Sequence, residues 1–151
     1  MPPLEPSISV ELRPVRPDDA PGLKNLLYAS MSDDEVAEQI AKAIRAQREG
    51  KELCLVALAD GAVVATAMLI SRTGSVGHVV NVAIDEAFRG CGLFGRLLAE
   101  FKTVAGPLKL KRLRISAEPE NVAALKAYRK VGFCEIARSD GLVRFEMPVG
   151  R

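Results

Sequence analysis

The sequence predicts one α/β domain built on a mixed sheet, with its elements running βααββ-β-α-β-α-ββ. Three observations carry this. The chain has 151 residues, 48% apolar and 26% charged, which is the size of one domain and the composition of an ordinary soluble protein. Short apolar runs of strand type alternate with longer stretches of helical period. Asp60-Gly61 and Asp140-Gly141 each separate two such runs, as hairpin turns do. A chain of this length buries roughly 68–70% of its unfolded surface, so it needs no disulfide or metal staple.

Met1 to Ser7 is Pro-rich and polar and reads as a flexible tail, with the domain spanning 8–151. It has no basic stretch followed by an apolar one, so no signal peptide is expected. Ile8 to Arg16 alternates as a first strand. Pro17-Asp18-Asp19 supplies a turn and a capping Asp for a helix to about Ser30. Ser32-Asp33-Asp34-Glu35 spells a capping box, and Val36, Ile40, Ala43, Ile44 and Gln47 continue at helical spacing until Gly50.

Leu53 to Ile70 is long and apolar enough to suggest a membrane span. Asp60 at its centre would cost about 2.5–3.5 kcal/mol in a bilayer, whereas Asp-Gly between partly β-branched runs signals a hairpin. Two buried strands and no membrane are expected. Ser71 to Gly77 reads as a loop, His78 to Ile84 as a strand and Leu93 to Ala105 as a helix broken by Gly106-Pro107. Leu113 to Ala117 is a strand, and Glu120 to Val131 a helix closed by Gly132. Cys134 to Ala137 and Leu142 to Pro148 are the last strand pair.

Twenty-one basic against nineteen acidic residues leave a formal charge of +2, too little asymmetry for nucleic acid or acidic lipid as main partner. The run Lys109, Lys111, Arg112 and Arg114 lacks interleaved aromatics and reads as solvated charge at a strand entrance, available to the phosphates of a ligand. Cys54, Cys91 and Cys134 are odd in number, widely spaced and without a CxxC pair. That argues against a disulfide framework or a zinc site and for a reducing cytoplasm, with no metal expected.

Gly90-Cys91-Gly92-Leu93-Phe94-Gly95 spells G-x-G-x-x-G between a strand and a helix, and Glu118 follows 23 positions later. Taken alone this fits a dinucleotide site. Against it, Asp85 to Arg89 intervene between strand and glycine, and only 33 residues follow Glu118, too few for a doubly wound sheet. No Gly-Lys-Ser/Thr ends the run, so it is not a Walker loop. What remains is the physics common to such loops: consecutive backbone amides before a helix cradle a phosphate or pyrophosphate. A tight connection that needs glycine for backbone angles alone is the other reading.

The stretch from Asn81 to Phe133 resembles the GNAT superfamily of acyl-CoA-dependent N-acyltransferases. Arg89-Gly90-Cys91-Gly92-Leu93-Phe94 matches its Gln/Arg-x-x-Gly-x-Gly/Ala pyrophosphate loop. Asn121, Ala124, Tyr128, Gly132 and Phe133 match its Asn-x-x-Ala-x-x-x-Tyr-x-x-x-Gly-Phe element. The two motifs cover about a third of the chain.

The resemblance implies a mixed, mostly antiparallel sheet of six to seven strands flanked by about four helices, and transfer of an acetyl group from acetyl-CoA to a primary amine. It implies that Val82, Ala83 and Ile84 pair with the pantetheine arm and that residues 90–95, namely Gly90, Cys91, Gly92, Leu93, Phe94 and Gly95, hold the pyrophosphate behind Arg89. Asn121 would bind near the pantetheine, and Tyr128 would protonate the departing thiolate. A phenol with a pKa near 10 keeps its proton at pH 7, as that role requires. Seven residues separate Asn121 from Tyr128, which places both on one face of a helix. A core tyrosine with a bonded hydroxyl is the alternative for Tyr128.

The amine must lose a proton, and His78, Glu118 and a water relay all stand as candidates. Phe94 occupies a position where the family usually has Gly or Ala, so its ring turns either into the core or along the cofactor. Cys91, close to a helix N-terminus, is either a reactive thiol or a small filler. Tyr28 to Asp34 and Ser139 to Leu142 are candidate acceptor loops. Acidic Asp33, Asp34 and Glu35 are explained by capping. The acceptor is an amine-bearing small molecule or a protein amine. The rival reading is a non-catalytic acyl-CoA-binding sensor or interaction module, and a homodimer paired through the last strands fits either.

Overall fold

The apolar run of Leu53 to Ile70 folds back on itself at Asp60 (φ 51°) and Gly61 (φ 81°), the two left-handed residues of a type I′ turn. It forms the hairpin β2 (Glu52–Ala59) and β3 (Ala62–Ile70), paired in register from Glu52–Ile70 to Ala59–Ala62. The computed structural model describes residues 9–71, 74–105 and 108–149. The expected tail, the start of the first strand at Ile8 and the Gly106-Pro107 break lie outside these. No helix among the described residues is long and apolar enough to cross a membrane.

The remaining strands are β1 (Val10–Pro14), β4 (Val76–Ile84), β5 (Arg112–Ala117), β6 (Cys134–Ser139) and β7 (Leu142–Pro148). The helices are α1 (Ala20–Leu26), α2 (Asp33–Arg48), α3 (Leu93–Ala105) and α4 (Val122–Lys130). One seven-stranded sheet runs β1-β2-β3-β4-β5-β7-β6, and only the β4–β5 pair is parallel. Seven strands in a mixed, mostly antiparallel sheet and four helices are what the resemblance led one to expect.

Two apolar layers hold the helices to the sheet. On one face Val36, Ile40 and Ala43 of α2 and Leu23 of α1 pack on Cys54, Val56 and Leu58. On the other, Leu97, Leu98 and Phe101 of α3 and Leu125 and Tyr128 of α4 pack on Leu55, Leu69, Leu113, Phe145 and Met147. Being covered on both faces, β2 reads as a nearly unbroken apolar run. β5 and β7 instead alternate. Leu113, Ile115, Val143 and Phe145 enter the core, and Arg112, Arg114, Arg144 and Glu146 turn to the side that α1 and α2 leave open.

Local signals placed most boundaries. The capping box at α2 forms in full, with Ser32 Oγ accepting from Glu35 N at 3.1 Å and Glu35 Oε1 from Ser32 N at 2.8 Å. β4 begins at Val76, inside the expected 71–77 loop, and α4 spans Val122–Lys130 instead of 120–131; α1 departs further. Pro17–Asp19 is a 3-10 turn, the helix stops at Leu26 instead of Ser30, and Asp19 gives its helix no side-chain cap. Asp19 is buried, and its carboxylate takes both terminal nitrogens of Arg13 at 2.9 Å and the Arg16 amide at 2.7 Å. Burial acts to raise its pKa, but the Arg13 and Arg16 hydrogen bonds outweigh that and hold the carboxyl below its ordinary value.

Candidate active site

The loop between β4 and α3 is built to expose backbone donors. Asp85 Oδ1 accepts from Ala87 N at 2.9 Å, and Arg89 Nε donates to Ile84 O at 3.2 Å, which ties the start of the loop to the end of the strand. Gly90 and Gly92 have φ of 79° and 84°, angles that side chains resist, and a Cβ on either would meet no atom within 4 Å. Arg96 is the first α3 residue whose amide reaches a helical acceptor, Gly92 O at 3.1 Å. Among the described residues the amides of 90 to 95 pair with no protein acceptor. Six successive donors thus lie at the positive end of a 13-residue helix, a fitting cradle for a pyrophosphate.

Gly95 differs from the other two. A Cβ there would touch only Val131 Cγ1 at 3.9 Å, an ordinary contact, so close packing does not demand the third glycine. With a sheet antiparallel everywhere but one pair, the dinucleotide fold is excluded.

β4 supplies an open edge beside this loop. It pairs with β5 only over Val76–His78 against Arg112–Arg114. It then kinks: Asn81 takes φ 54°, and the register with β3 shifts between Thr66 and Met68. β5 meanwhile continues to Ala117 in company with β7. Val82, Ala83 and Ile84 therefore have no partner on the β5 side, and an extended ligand arm can take the place of a strand there.

Tyr128 stands on α4 with its ring walled by Phe94 at 5.4 Å, Phe145 at 5.6 Å and Phe133 at 6.1 Å. The residue is 9% exposed, and burial pushes its pKa above the ordinary phenol value. No hydrogen bond from a described residue ends on its hydroxyl, and no buried side-chain oxygen among them is left without a partner. The hydroxyl therefore opens to accessible space instead of being a bonded core group. Phe94, 7% exposed, turns into the core against this ring and leaves the loop's outer side clear.

Asn121 stands seven residues before Tyr128, at the start of α4. It is the N-cap, exposed, with Oδ1 accepting from Ala124 N at 3.1 Å, which leaves its amide nitrogen for another partner. Cys91 is exposed, its Sγ 3.9 Å from Arg89 O. Cys54 is buried beside Thr66, and burial pushes its thiol up to about 11.

A cavity of about 310 Å³ opens where β4 and β5 part, lined by His78, Asn81, Arg114, Ser116, Ile136 and Arg144 together with backbone neighbours. His78 stands in register with Arg114 and Ser116 with Arg144. Glu118 lies past the end of β5, exposed and outside this lining. Neither Tyr28 to Asp34 nor Ser139 to Leu142 lines it, although Ser139 Oγ accepts from Arg144 Nε at 2.9 Å.

Arg144, Ser116 and Ile136 carry no motif. The only sequence signal for Arg144 and Ser116 was the polar half of their strands' alternation, and Ile136 lies on a strand that is exposed throughout. A second cleft of about 570 Å³ lies between α1, the β2–β3 turn and the end of β4. Asp18, Asp19, Asp85 and Glu86 line it with, among the described residues, Arg89 as the one cation, an acidic wall unsuited to phosphates.

The chain's residues 21–133 match the family model for the acetyltransferase (GNAT) family. A search of curated proteins finds no match. Among solved structures the chain is similar to the PaiA N-acetyltransferase of Thermoplasma acidophilum in complex with coenzyme A. The two share 17% identity at a TM-score of 0.77, over 93% of this chain and 99% of that one. It is similar to RimL, the ribosomal L7/L12 α-N-protein acetyltransferase, also in complex with coenzyme A, at 15% identity and a TM-score of 0.80 over 95% and 96%. The ribosomal-protein-S5-alanine acetyltransferase of Vibrio fischeri shares 14% identity at 0.80, over 93% of each. At these identities the structures speak for the fold, and the family model, matching three quarters of the sequence, speaks for descent: the chain belongs to the GNAT acetyltransferase family.

Proposed function

We propose that the protein transfers an acetyl group from acetyl-CoA to a primary amine by direct transfer, with Tyr128 as general acid. The observation that carries this is the run of unpaired amides from 90 to 95, set where β4 loses its partner strand. Acetyl-CoA supplies an acetyl group activated as a thioester and a sulfur leaving group.

The chain's own residues do the rest. The 90–95 amides hold the pyrophosphate, with Arg89 adding positive charge at the loop's start. Val82, Ala83 and Ile84 take the pantetheine arm along their open edge. Asn121 donates its spare amide hydrogens near that arm. Tyr128 keeps its proton at neutral pH, because burial raises its pKa further, and gives it to the departing sulfur.

A lysine-like amine with pKa about 10.4 is nearly all protonated at pH 7, and unmasking it costs about 4–5 kcal/mol. The position of His78 in the cavity, with Glu118 outside it, supports His78 or a water relay as acceptor of that proton. RimL and the S5-alanine enzyme are described as acting on ribosomal proteins, which supports an amine acceptor for this fold. Three free thiols suit the cytoplasm, the location we propose.

Thermal melts with acetyl-CoA, CoA, NADH and ATP test the cofactor. A ligand at a hundred times its dissociation constant adds about 2.7 kcal/mol, or about 5–10 °C at this size. A shift with the two CoA ligands alone is expected, and a shift with NADH alone overturns the reading. Thiol release from acetyl-CoA with any amine then separates an enzyme from a binding module.

A further inference from the structure

We infer that the acceptor amine carries an anionic group, a carboxylate or a phosphate, which Arg144 and Arg114 receive in the cavity between β4 and β5. The inference rests on the reading above for where the acetyl group arrives. The β4 wall of the cavity, Val79 to Asn81, continues directly from the Val82–Ile84 edge assigned to the pantetheine arm.

The lining itself chooses the class of acceptor. Among the described residues it contains two guanidiniums and an imidazole and no carboxylate. The nearest acidic groups do not neutralise it. Glu146 is shared by two cations, Arg112 Nη1 on Oε1 at 3.0 Å and Arg114 Nε on Oε2 at 2.7 Å, so that cluster keeps a net positive charge. Arg114 commits only Nε to the pair, and among the described residues its two terminal nitrogens make no hydrogen bond. Arg144 meets Asp140 at 3.4 Å, but Asp140 is 86% exposed on the β6–β7 turn, where solvent screens the pair.

Ser116 and Asn81 add neutral donors beside the guanidiniums. A polyamine or a polycationic aminoglycoside would meet two like charges here. An amino acid, or a phosphorylated amine, would meet bidentate charge-assisted donors. The volume, about 310 Å³, is at the small end of ligand cavities and suits a small molecule.

The test is equilibrium titration by calorimetry or NMR of the full chain with three probes: an N-acetylated aliphatic amino acid, its carboxamide, and N-acetylphosphoethanolamine. At least one anion should bind about tenfold or more tighter than the carboxamide, and whichever anion wins names the group. Arg144→Gln, and separately Arg114→Gln, should erase the preference without lowering the melting temperature. Equal binding of carboxamide and anion, tighter binding of a triamine, or no measurable anion binding each overturns the inference.

Thiol release from acetyl-CoA is read in parallel. Release with a triamine in preference to amino acids overturns the anionic acceptor and leaves the transferase standing. Anion-selective binding with no release from any amine does the reverse.

Discussion

Replacing Tyr128 with Phe removes one oxygen and nothing else from a ring packed between Phe94, Phe133 and Phe145. The lost hydroxyl breaks no hydrogen bond to a described residue, so folding stability should change by less than about 0.5 kcal/mol, or about 1–2 °C in melting temperature. Alanine would be a poor probe, since emptying an aromatic site costs about 3–5 kcal/mol. Turnover should respond very differently. A positioned general acid contributes about 100- to 10,000-fold, which is about 2.7–5.4 kcal/mol of barrier. The assay is thiol release under saturating acetyl-CoA, with the amine varied. kcat should fall while the KM for acetyl-CoA holds, because the proton is needed only as the sulfur leaves.

The pH profile gives an independent reading. Burial raises the Tyr128 pKa, which extends the protonated, active form to higher pH, so the wild type should keep its turnover until above pH 10. The variant should lose that alkaline fall. A kcat within about threefold of wild type, with the alkaline limb intact, would remove Tyr128 from the mechanism. A fall in melting temperature of several degrees would instead trace the lost turnover to packing.

Two glycine-to-alanine changes should move stability in opposite directions. At Gly22 in α1 a Cβ would sit 2.8 Å from Val63 Cβ and Cγ2 on β3, so α1 must shift; overpacking of about 1–3 kcal/mol outweighs the gain in helix propensity, and thermal melts should fall. At Gly95 in α3 the same Cβ meets only Val131 at 3.9 Å, so melts should rise by up to about 1 kcal/mol with the CoA shift retained. Asp19→Asn leaves the Arg13 guanidinium, 13% exposed, without its partner charge and should cost about 3 kcal/mol in urea unfolding at pH 7. Because the Asp19 pKa is lowered by folding, its contribution is complete above about pH 5 and disappears as pH falls through the folded-state value. The two unfolding curves should therefore converge in acid.

What could be read from the sequence was what depends on near neighbours. Ser32 and Glu35 cap α2 through atoms three residues apart, and both Asp-Gly turns close hairpins through their own backbone angles. The bounds of α3, Leu93 to Ala105, came from the same kind of local signal. Asp19 was misread because the competitor for its carboxylate, Arg13, sits on another element, and a bidentate guanidinium outweighs one helix amide. The cap that Asn121 gives α4 is local chemistry too, since an Asn just before a helix is captured by that helix's own amides.

Phe94 could have turned either way on the helix, and it turns into the core against the Tyr128 ring, which comes from another helix. The cationic cavity was out of reach because its parts come from four strands whose order, β4-β5-β7-β6, brings Arg114 and Arg144 to one face.

The only parallel pairing in the sheet is also its shortest, three residue pairs between β4 and β5. On one side of that seam β1 to β4 form a continuous antiparallel meander; on the other β5, β7 and β6 form a second one. Beyond the three paired residues β4 kinks at Asn81 and runs on to the loop whose amides stand open. Unsatisfied backbone at the centre of a sheet costs stability unless something covers it.

A ligand lying along Val82 to Ile84 would supply those hydrogen bonds and join the two halves across the seam, so its binding should protect amides on both β4 and β5 from exchange. A ligand held by the loop alone would protect only residues 90 to 95. Hydrogen exchange with CoA, and with a truncated CoA lacking the pantetheine arm, separates these cases, because only the full molecule can reach the seam.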